Sequence, residues 1–184
     1  MTERTRWKVG DAVSERVLVA SDDTHVAIPP ATGWTHLQFR RFAGCPICSL
    51  HLVKLGSRRA EIEAAGVAEV VVFRSSNDAL RSYHADVPFA CVADPEGVLY
   101  EEFGVRSSPR SLLHPRAMVK YVQGVAAAGS LLGSFGKGDH LGLPADFLVG
   151  RDGRLTAVSY GEHADDGWSV DDLLAHVRSA EPDQ

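Results

Sequence analysis

Apolar residues fall into short runs separated by turn-forming residues, a pattern typical of alternating strands and helices. Apolar runs rich in β-branched residues predict strands at residues 17–19, 26–28, 35–42, 68–73, 88–93, 145–149 and 155–160. Helical periodicity predicts helices at residues 49–65, 77–83, 98–103 and 169–179. Gly66 fits a C-terminal cap of the first helix, and Asn77 and Ser169 fit N-terminal caps of later ones.

The order of these elements is β-β-β-α-β-α-β-α, followed by an insert and then by β-β-α. Strands that alternate with helices favour a central parallel sheet flanked by helices, and the late hairpin around Gly150-Arg151-Asp152-Gly153 makes that sheet mixed. We therefore expect residues 1–184 to form a single α/β domain, with an N-terminal hairpin and a glycine-rich, partly helical insert around residues 112–140.

Composition excludes several function classes. The chain has 184 residues and a net charge of −5, with no basic stripe of the kind that binds nucleic acid. No apolar run is long enough to span a membrane, and the polar N-terminus has no secretory pattern. We therefore expect a cytoplasmic protein without nucleic-acid or membrane partners.

The motif that carries chemistry is Cys45-Pro46-Ile47-Cys48, between the strand at 35–42 and the helix at 49–65. In the first turn of a helix, unpaired backbone N–H groups and the helix dipole favour a thiolate. In a reducing compartment, such a pair indicates redox chemistry on a thioredoxin-like fold. Two alternatives remain open: a packed pair without activity, and a zinc site that adds His51 to the two cysteines.

Four stretches carry a resemblance to a known family: Lys8-Val9-Gly10-Asp11, the junction at residues 39–48, residues 93–97 with Phe103-Gly104-Val105, and Gly142-Leu143-Pro144-Ala145 with the strand after it. Together they resemble the AhpC/TSA, or peroxiredoxin-like, branch of the thioredoxin superfamily. The peroxiredoxin signature Pro-x-x-x-Thr-x-x-Cys is altered in this chain. If Cys48 takes its cysteine position, Cys45 stands at the threonine and Arg41 at the proline. If Cys45 takes it, those two positions hold Phe42 and Gln38, and neither register restores the threonine hydroxyl.

The resemblance implies roles for individual residues. Cys45, as the leading cysteine, is expected to be the more exposed nucleophile, and Cys48 the resolving thiol. Pro144 resembles the cis-proline that faces the cysteines of thioredoxin-like folds and leaves the backbone of Leu143 free for a substrate. Either Arg41 or its neighbour Arg40 could point towards the thiolate and lower its pKa.

The expected activity is therefore a thiol-dependent oxidoreductase of the peroxiredoxin-like type, which reduces peroxides or disulfides through a Cys45/Cys48 dithiol–disulfide cycle. Thioredoxin or a low-molecular-weight thiol would be the reductant, no metal or organic cofactor is required, and a homodimer is compatible with the resemblance. Two alternatives stay open. One is a protein disulfide reductase without peroxidase activity. The other is a redox-sensing or partner-binding module in which the disulfide controls the segment at 112–140.

Overall fold

The computed structural model describes residues 6–108, 119 and 142–180, so that the insert predicted around 112–140 lies outside the described residues except for residue 119. Every strand and helix predicted outside that insert is present. The strands are β1 Arg16–Val19, β2 His25–Ile28, β3 Trp34–Arg40, β4 Val67–Phe73, β5 Ala90–Ala93, β6 Ala145–Gly150 and β7 Leu155–Tyr160. The helices are α1 Pro46–Ser57, α2 Arg59–Ala64, α3 Asn77–His84, α4 Val98–Glu102 and α5 Val170–Ala180.

Two local predictions need correction. The helix predicted at 49–65 begins earlier, at Pro46, and is divided into α1 and α2 at Arg58, whose backbone leaves the helical region (φ −116°, ψ 20°). The cap of α3 is Ser76 and not Asn77, because the Ser76 hydroxyl accepts a hydrogen bond from the Ala79 N–H at 3.4 Å. The other two caps were predicted correctly: Gly66 follows α2 with a φ of +69°, and Ser169 caps α5.

The central sheet has five strands in the order β5-β4-β3-β6-β7. Strands β3, β4 and β5 are parallel, whereas β6 runs antiparallel to both β3 and β7, as the late hairpin predicted. Strands β1 and β2 form a separate hairpin, tied to β5 by the Ser21 N–H, which donates to the Cys91 carbonyl at 2.7 Å. The central strand β3 is thus buried between neighbours on both sides.

Alternation along β3 separates two cores. Leu37 and Phe39 join the apolar cluster that the β1–β2 hairpin and α4 cover. The opposite face of the sheet, which includes Val71 and Phe73 of β4, packs against α1, α2, α3 and α5. Residues 36, 38 and 40 of β3 point to this second face, because side chains alternate along a strand.

The parallel strands β3 and β4 end at the same edge of the sheet, and β3 leads directly into α1. That edge is where open α/β sheets bind their ligands. None of the helices within the described residues is long and apolar enough to cross a membrane.

Candidate active site

The turn between β3 and α1 places both cysteines at the start of a helix. Gly44 adopts a φ of +79°, which favours glycine and lets the chain reverse after β3. Pro46 then occupies the first turn of α1, where its missing N–H costs nothing. Cys45 is the N-terminal cap, and its sulfur accepts a hydrogen bond from the Cys48 N–H at 3.4 Å. The sequence prediction of two thiols in the first turn of a helix is confirmed.

The expected difference in exposure is wrong. Cys45 is 0% exposed and Cys48 is 3% exposed, so the leading cysteine is the less accessible one. Both cysteines belong to the apolar cluster between the sheet and α1, and Cys45, at the capping position, has no exposed surface. Cys48, one turn further along, lines a small cavity of about 10 Å³ together with Arg40, His51 and Pro144.

The two thiols differ in acidity. Burial raises the pKa of both, but the pKa of Cys48 is lowered to about 7 because the Cys45 thiol donates a hydrogen bond to its sulfur and the Arg41 charge lies nearby. The pKa of Cys45 is raised well above its ordinary value, by burial first and then by the hydrogen bond to Cys48 and the negative charge there. Cys48 is therefore the thiol that ionises near neutral pH. This acidity favours Cys48 as the attacking thiol, whereas the sequence favoured Cys45.

Arg41 is the arginine that faces the dithiol. Its Nη1 lies 3.7 Å from the Cys45 sulfur, and its charge lowers the pKa of both cysteines. Arg40, on the preceding position of the strand, points to the other side and forms hydrogen bonds with Asp146 and Gln38. Two neighbouring arginines thus approach the same site from different directions, and both favour a thiolate at Cys48.

The prediction of a cis bond before Pro144 is wrong. Among the described residues the cis bond is at Ile28–Pro29, and Leu143–Pro144 is trans. The Leu143 N–H donates to the Arg106 carbonyl, and the Pro144 carbonyl accepts from the Gly161 N–H, both at 2.9 Å. The Leu143 N–H is therefore already paired within the fold. Pro144 nevertheless lies where it was expected, in the wall of the Cys48 cavity.

The zinc alternative has no support in the geometry. The part of the chain that the structure describes contains no group of three His, Cys, Asp or Glu side chains able to hold a metal ion. His51 does lie next to Cys48, but its Nε2 faces the Arg40 guanidinium at 2.9 Å. Burial and that positive charge lower the pKa of His51 well below its ordinary value. His51 is thus a neutral imidazole held by an arginine.

Sequence reasoning missed a buried polar cluster behind the dithiol. Its five members are His36, Gln38 and Arg40 of β3, Glu69 of β4 and Asp146 of β6, all buried on the face that α1 and α5 cover. A signal was present in the sequence, since polar residues at every second position of an otherwise apolar strand mark one polar face. In the structure that face is buried beneath helices.

The match to the AhpC/TSA antioxidant enzyme family extends over residues 54–163, more than half of the chain. Three solved structures are similar in fold. Peroxidoxin BcpB of Mycobacterium tuberculosis is 17% identical with a TM-score of 0.69, covering 95% of this chain and 99% of the other. A mutant of Xylella fastidiosa PrxQ is 16% identical with a TM-score of 0.67, covering 96% and 98%. AhpC of Enterococcus faecalis is 14% identical with a TM-score of 0.65, covering 94% and 91%. No curated protein sequence matches the chain.

The thioredoxin-like sheet, the cysteine pair at the β3–α1 junction and the family match together define a peroxiredoxin-type thiol oxidoreductase. The chain belongs to the AhpC/TSA family of antioxidant enzymes. The family match begins at Lys54, after both cysteines of the motif. The roles of Cys45 and Cys48 therefore depend on the geometry of this chain.

Proposed function

We propose that the protein is a thiol peroxidase in which the Cys48 thiolate attacks the peroxide and Cys45 resolves the product. The observation that carries this proposal is the coincidence of two properties in Cys48. Its pKa is about 7, and its side chain lines the cavity at the end of β3. Cys45 has the opposite character, being fully buried with a raised pKa, which suits a thiol that reacts second.

The reaction follows from these positions. The Cys48 thiolate attacks one peroxide oxygen, the O–O bond breaks, and the other oxygen leaves as an alcohol or water after taking a proton. Cys48 is then a sulfenic acid. The Cys45 sulfur attacks the Cys48 sulfur, the disulfide forms, and the hydroxyl leaves as water with the Cys45 proton.

A dithiol reductant must return the disulfide to two thiols, either thioredoxin or two molecules of a low-molecular-weight thiol. We expect this step to take place in a reducing cytoplasm, which maintains such thiols.

The size of the cavity supports a small oxidant. Its volume of about 10 Å³ is that of roughly one water molecule, so hydrogen peroxide or the terminal group of an alkyl hydroperoxide fits better than a folded protein segment. A larger groove of about 410 Å³ adjoins it at His51, Asp165 and Gly167 and runs along α1. We propose that this groove accommodates the remainder of a larger substrate or of the reductant.

A second candidate is a disulfide reductase without peroxidase activity. It is favoured by Cys45, which stands where the peroxiredoxin signature has a threonine hydroxyl to bind peroxide. In that reaction the Cys48 thiolate attacks a substrate disulfide and releases one thiolate, and Cys45 then displaces the second. The sensing hypothesis involved residues 112–140, which lie outside the described residues except for residue 119.

Stopped-flow tryptophan fluorescence of the reduced protein tests these alternatives. Trp168 is the suitable reporter, because it follows Gly167 in the cavity wall and its ring stacks on His36 at 5.3 Å. Peroxide and a small disulfide are mixed separately with the wild type, Cys48→Ser and Cys45→Ser, all in a Cys91→Ala background.

The proposal expects a fast reaction with peroxide that Cys48→Ser abolishes. Cys45→Ser should retain one turnover and accumulate a sulfenic acid. A peroxide rate equal to that of free cysteine, with a fast disulfide reaction, would replace the peroxidase by the reductase. A fast peroxide reaction that survives in Cys48→Ser would refute the assignment of Cys48.

A further inference from the structure

The buried polar cluster holds two positive and two negative groups without access to water. His36 contacts both carboxylates, with Nδ1 at 3.0 Å from Glu69 Oε1 and Nε2 at 3.1 Å from Asp146 Oδ1. These carboxylates raise the pKa of His36 to about 9 in spite of its complete burial, so its ring is protonated at neutral pH. Arg40 supplies the second positive charge, and its Nη2 donates to Asp146 Oδ1 at 2.6 Å. The charges therefore balance within the cluster.

A buried cluster of charges contributes little net free energy to the stability of a core. Burying an ion pair costs desolvation energy that its mutual attraction only partly returns, and apolar residues often serve equally well. The cluster also reaches the candidate active site, because its member Arg40 lines the cavity of Cys48. This position suggests that the cluster acts on the site.

The geometry holds Arg40 on three sides. Its Nη2 donates to Asp146 at 2.6 Å and to Gln38 Oε1 at 2.7 Å, and its Nε donates to the same Gln38 oxygen at 3.1 Å. Gln38 is itself fixed by donating its amide N–H to Glu69. The Arg40 guanidinium therefore has a defined orientation, and in that orientation its Nη2 also lies 2.9 Å from His51 Nε2. The two N–H groups of Nη2 are thus shared among Asp146, Gln38 and His51, and Gln38 has the Arg40 Nε–H as its second donor.

This contact determines the tautomer of His51. A guanidinium has donors only, so His51 Nε2 must accept the hydrogen bond and carry no proton. A neutral imidazole that accepts at Nε2 carries its proton at Nδ1. His51 lines the same cavity as Cys48, and a protonated imidazole there could return a proton to the thiolate.

We propose that Arg40 is a positioning residue of the dithiol site: held by Asp146 and Gln38, it keeps His51 as the neutral Nδ1–H tautomer beside Cys48. The Cys48 thiolate then has a fixed positive charge nearby and no imidazolium acid next to it. This inference rests on the proposed function in one respect, the identity of Cys48 as the attacking thiolate.

Other titratable or charged groups face the same site and contribute to its electrostatics. They are Cys45 at the cap of α1, Arg41 after β3, Lys54 on α1, Tyr100 on α4, and Asp165 in the loop before α5. None of these groups contacts His51 Nε2 within the described residues, where its recorded hydrogen-bond partner is Arg40. The tautomer is therefore the property that reports on Arg40 specifically.

The first test uses the reduced wild-type protein and ¹⁵N NMR of its histidine rings, with the His51 signals assigned from their loss in His51→Gln. The proposal expects an unprotonated Nε2 and a protonated Nδ1 that stay unchanged from about pH 5.5 to pH 8.5. A protonated Nε2, or a ring that titrates near its ordinary pKa, would overturn the proposal. Because no substrate is present, this result is independent of whether the protein reduces peroxide.

The second test compares Arg40→Met with Arg40→Lys. Arg40→Met removes the charge and the hydrogen bonds, so we expect His51 to titrate normally and the pKa of Cys48 to rise by about one unit, measured by alkylation rate against pH. Arg40→Lys keeps the charge but not the planar fork, so the acidity of Cys48 should largely return while the fixed tautomer does not.

A purely structural role for Arg40 predicts no change in the titration of either group in a folded variant, and that result would contradict the proposal. If Arg40→Met does not fold, the wild-type spectra and Arg40→Lys decide the question.

Discussion

The acidity of Cys48 should depend on a hydrogen bond from its own resolving partner. The Cys45 thiol is the largest influence that lowers the Cys48 pKa, ahead of the Arg41 charge. Replacing Cys45 by alanine removes the donor, whereas replacing it by serine keeps a donor at the same position. Both variants lack the resolving thiol and form a matched pair: Cys45→Ser keeps a side-chain donor and the cap acceptor of the Cys48 N–H, and Cys45→Ala removes both.

The size of the effect can be worked out from the contact. A hydrogen bond to a charged group contributes about 1.5–3 kcal/mol, which corresponds to about one to two pKa units. In Cys45→Ala the pKa of Cys48 should therefore rise from about 7 to about 8–9. The thiolate fraction at pH 7 then falls from about one half to between about 9% and 1%, a loss of about 5-fold to 50-fold in reaction rate.

The assay is the rate of alkylation by iodoacetamide between pH 5 and pH 10, confirmed by thiolate absorbance at 240 nm. Cys91 does not interfere, because burial raises its pKa to about 12. Cys45→Ser should keep a midpoint near that of the wild type, and the two variants should react equally fast above pH 10. Equal midpoints in Cys45→Ala and Cys45→Ser would refute the reasoning, and an acidic thiol that persists in Cys48→Ser would reverse the roles of the two cysteines.

Three further predictions concern charge and pH. Arg41→Met should raise the pKa of Cys48 by about one unit, and peroxide reduction should therefore slow about 5-fold at pH 7 but not at pH 10. Arg41→Lys should change both the pKa and the rate less. Stopped-flow rates measured against pH check this prediction. His36 has a folded pKa of about 9, above its ordinary 6.5, so its contribution of about 3 kcal/mol should be complete below pH 6.5 and lost as the pH rises through 9. Urea unfolding from pH 6 to pH 10 should show that decline in the wild type, and a flat profile would contradict it. Burial lowers the pKa of His84 to about 4, so folding should lose about 2 kcal/mol between pH 8 and pH 5 from this group, and His84→Phe should remove that part of the acid sensitivity in thermal melts.

The position of the site was predictable from local signals. An apolar strand, a short turn and a helix with a proline in its first turn specify a β–α junction, and such a junction fixes the surroundings of a cysteine pair. The same signals gave the order of strands and the mixed character of the sheet. These features depend on side-chain periodicity and on a few turn residues, which can be read along a single chain.

The chemistry of the pair was not predictable in the same way. Which thiol is acidic depends on the direction of one hydrogen bond and on the charges near each sulfur, and sequence spacing contains neither. The Pro144 prediction was wrong for a similar reason. The backbone partner of Leu143 is Arg106 and that of Pro144 is Gly161, and both are distant in sequence and were not foreseen.

Predicting the polar cluster would have required the pairing register of the strands β3, β4 and β6. His36 lies opposite Glu69 in the pairing of β3 with β4, and Gln38 lies opposite Asp146 in the pairing of β3 with β6. A shift of one residue in either pairing would turn a carboxylate to the other face of the sheet. Alternation along β3 places its polar residues on one face, but only the assembled layers show that helices cover it.

The cap of α1 is also a reactant in the proposed cycle. In the reduced protein the Cys45 sulfur accepts the Cys48 N–H, and a side-chain cap of this kind contributes about 1 kcal/mol to the start of a helix. In the disulfide, the Cys45 sulfur carries no charge or thiol proton and is engaged in a new covalent bond. Each catalytic cycle therefore alters the hydrogen bond that caps the first turn of α1. Fraying of that turn would then follow the redox state of the enzyme, and amide exchange at Cys48 would report each oxidation as a loosening of the helix that carries the thiol.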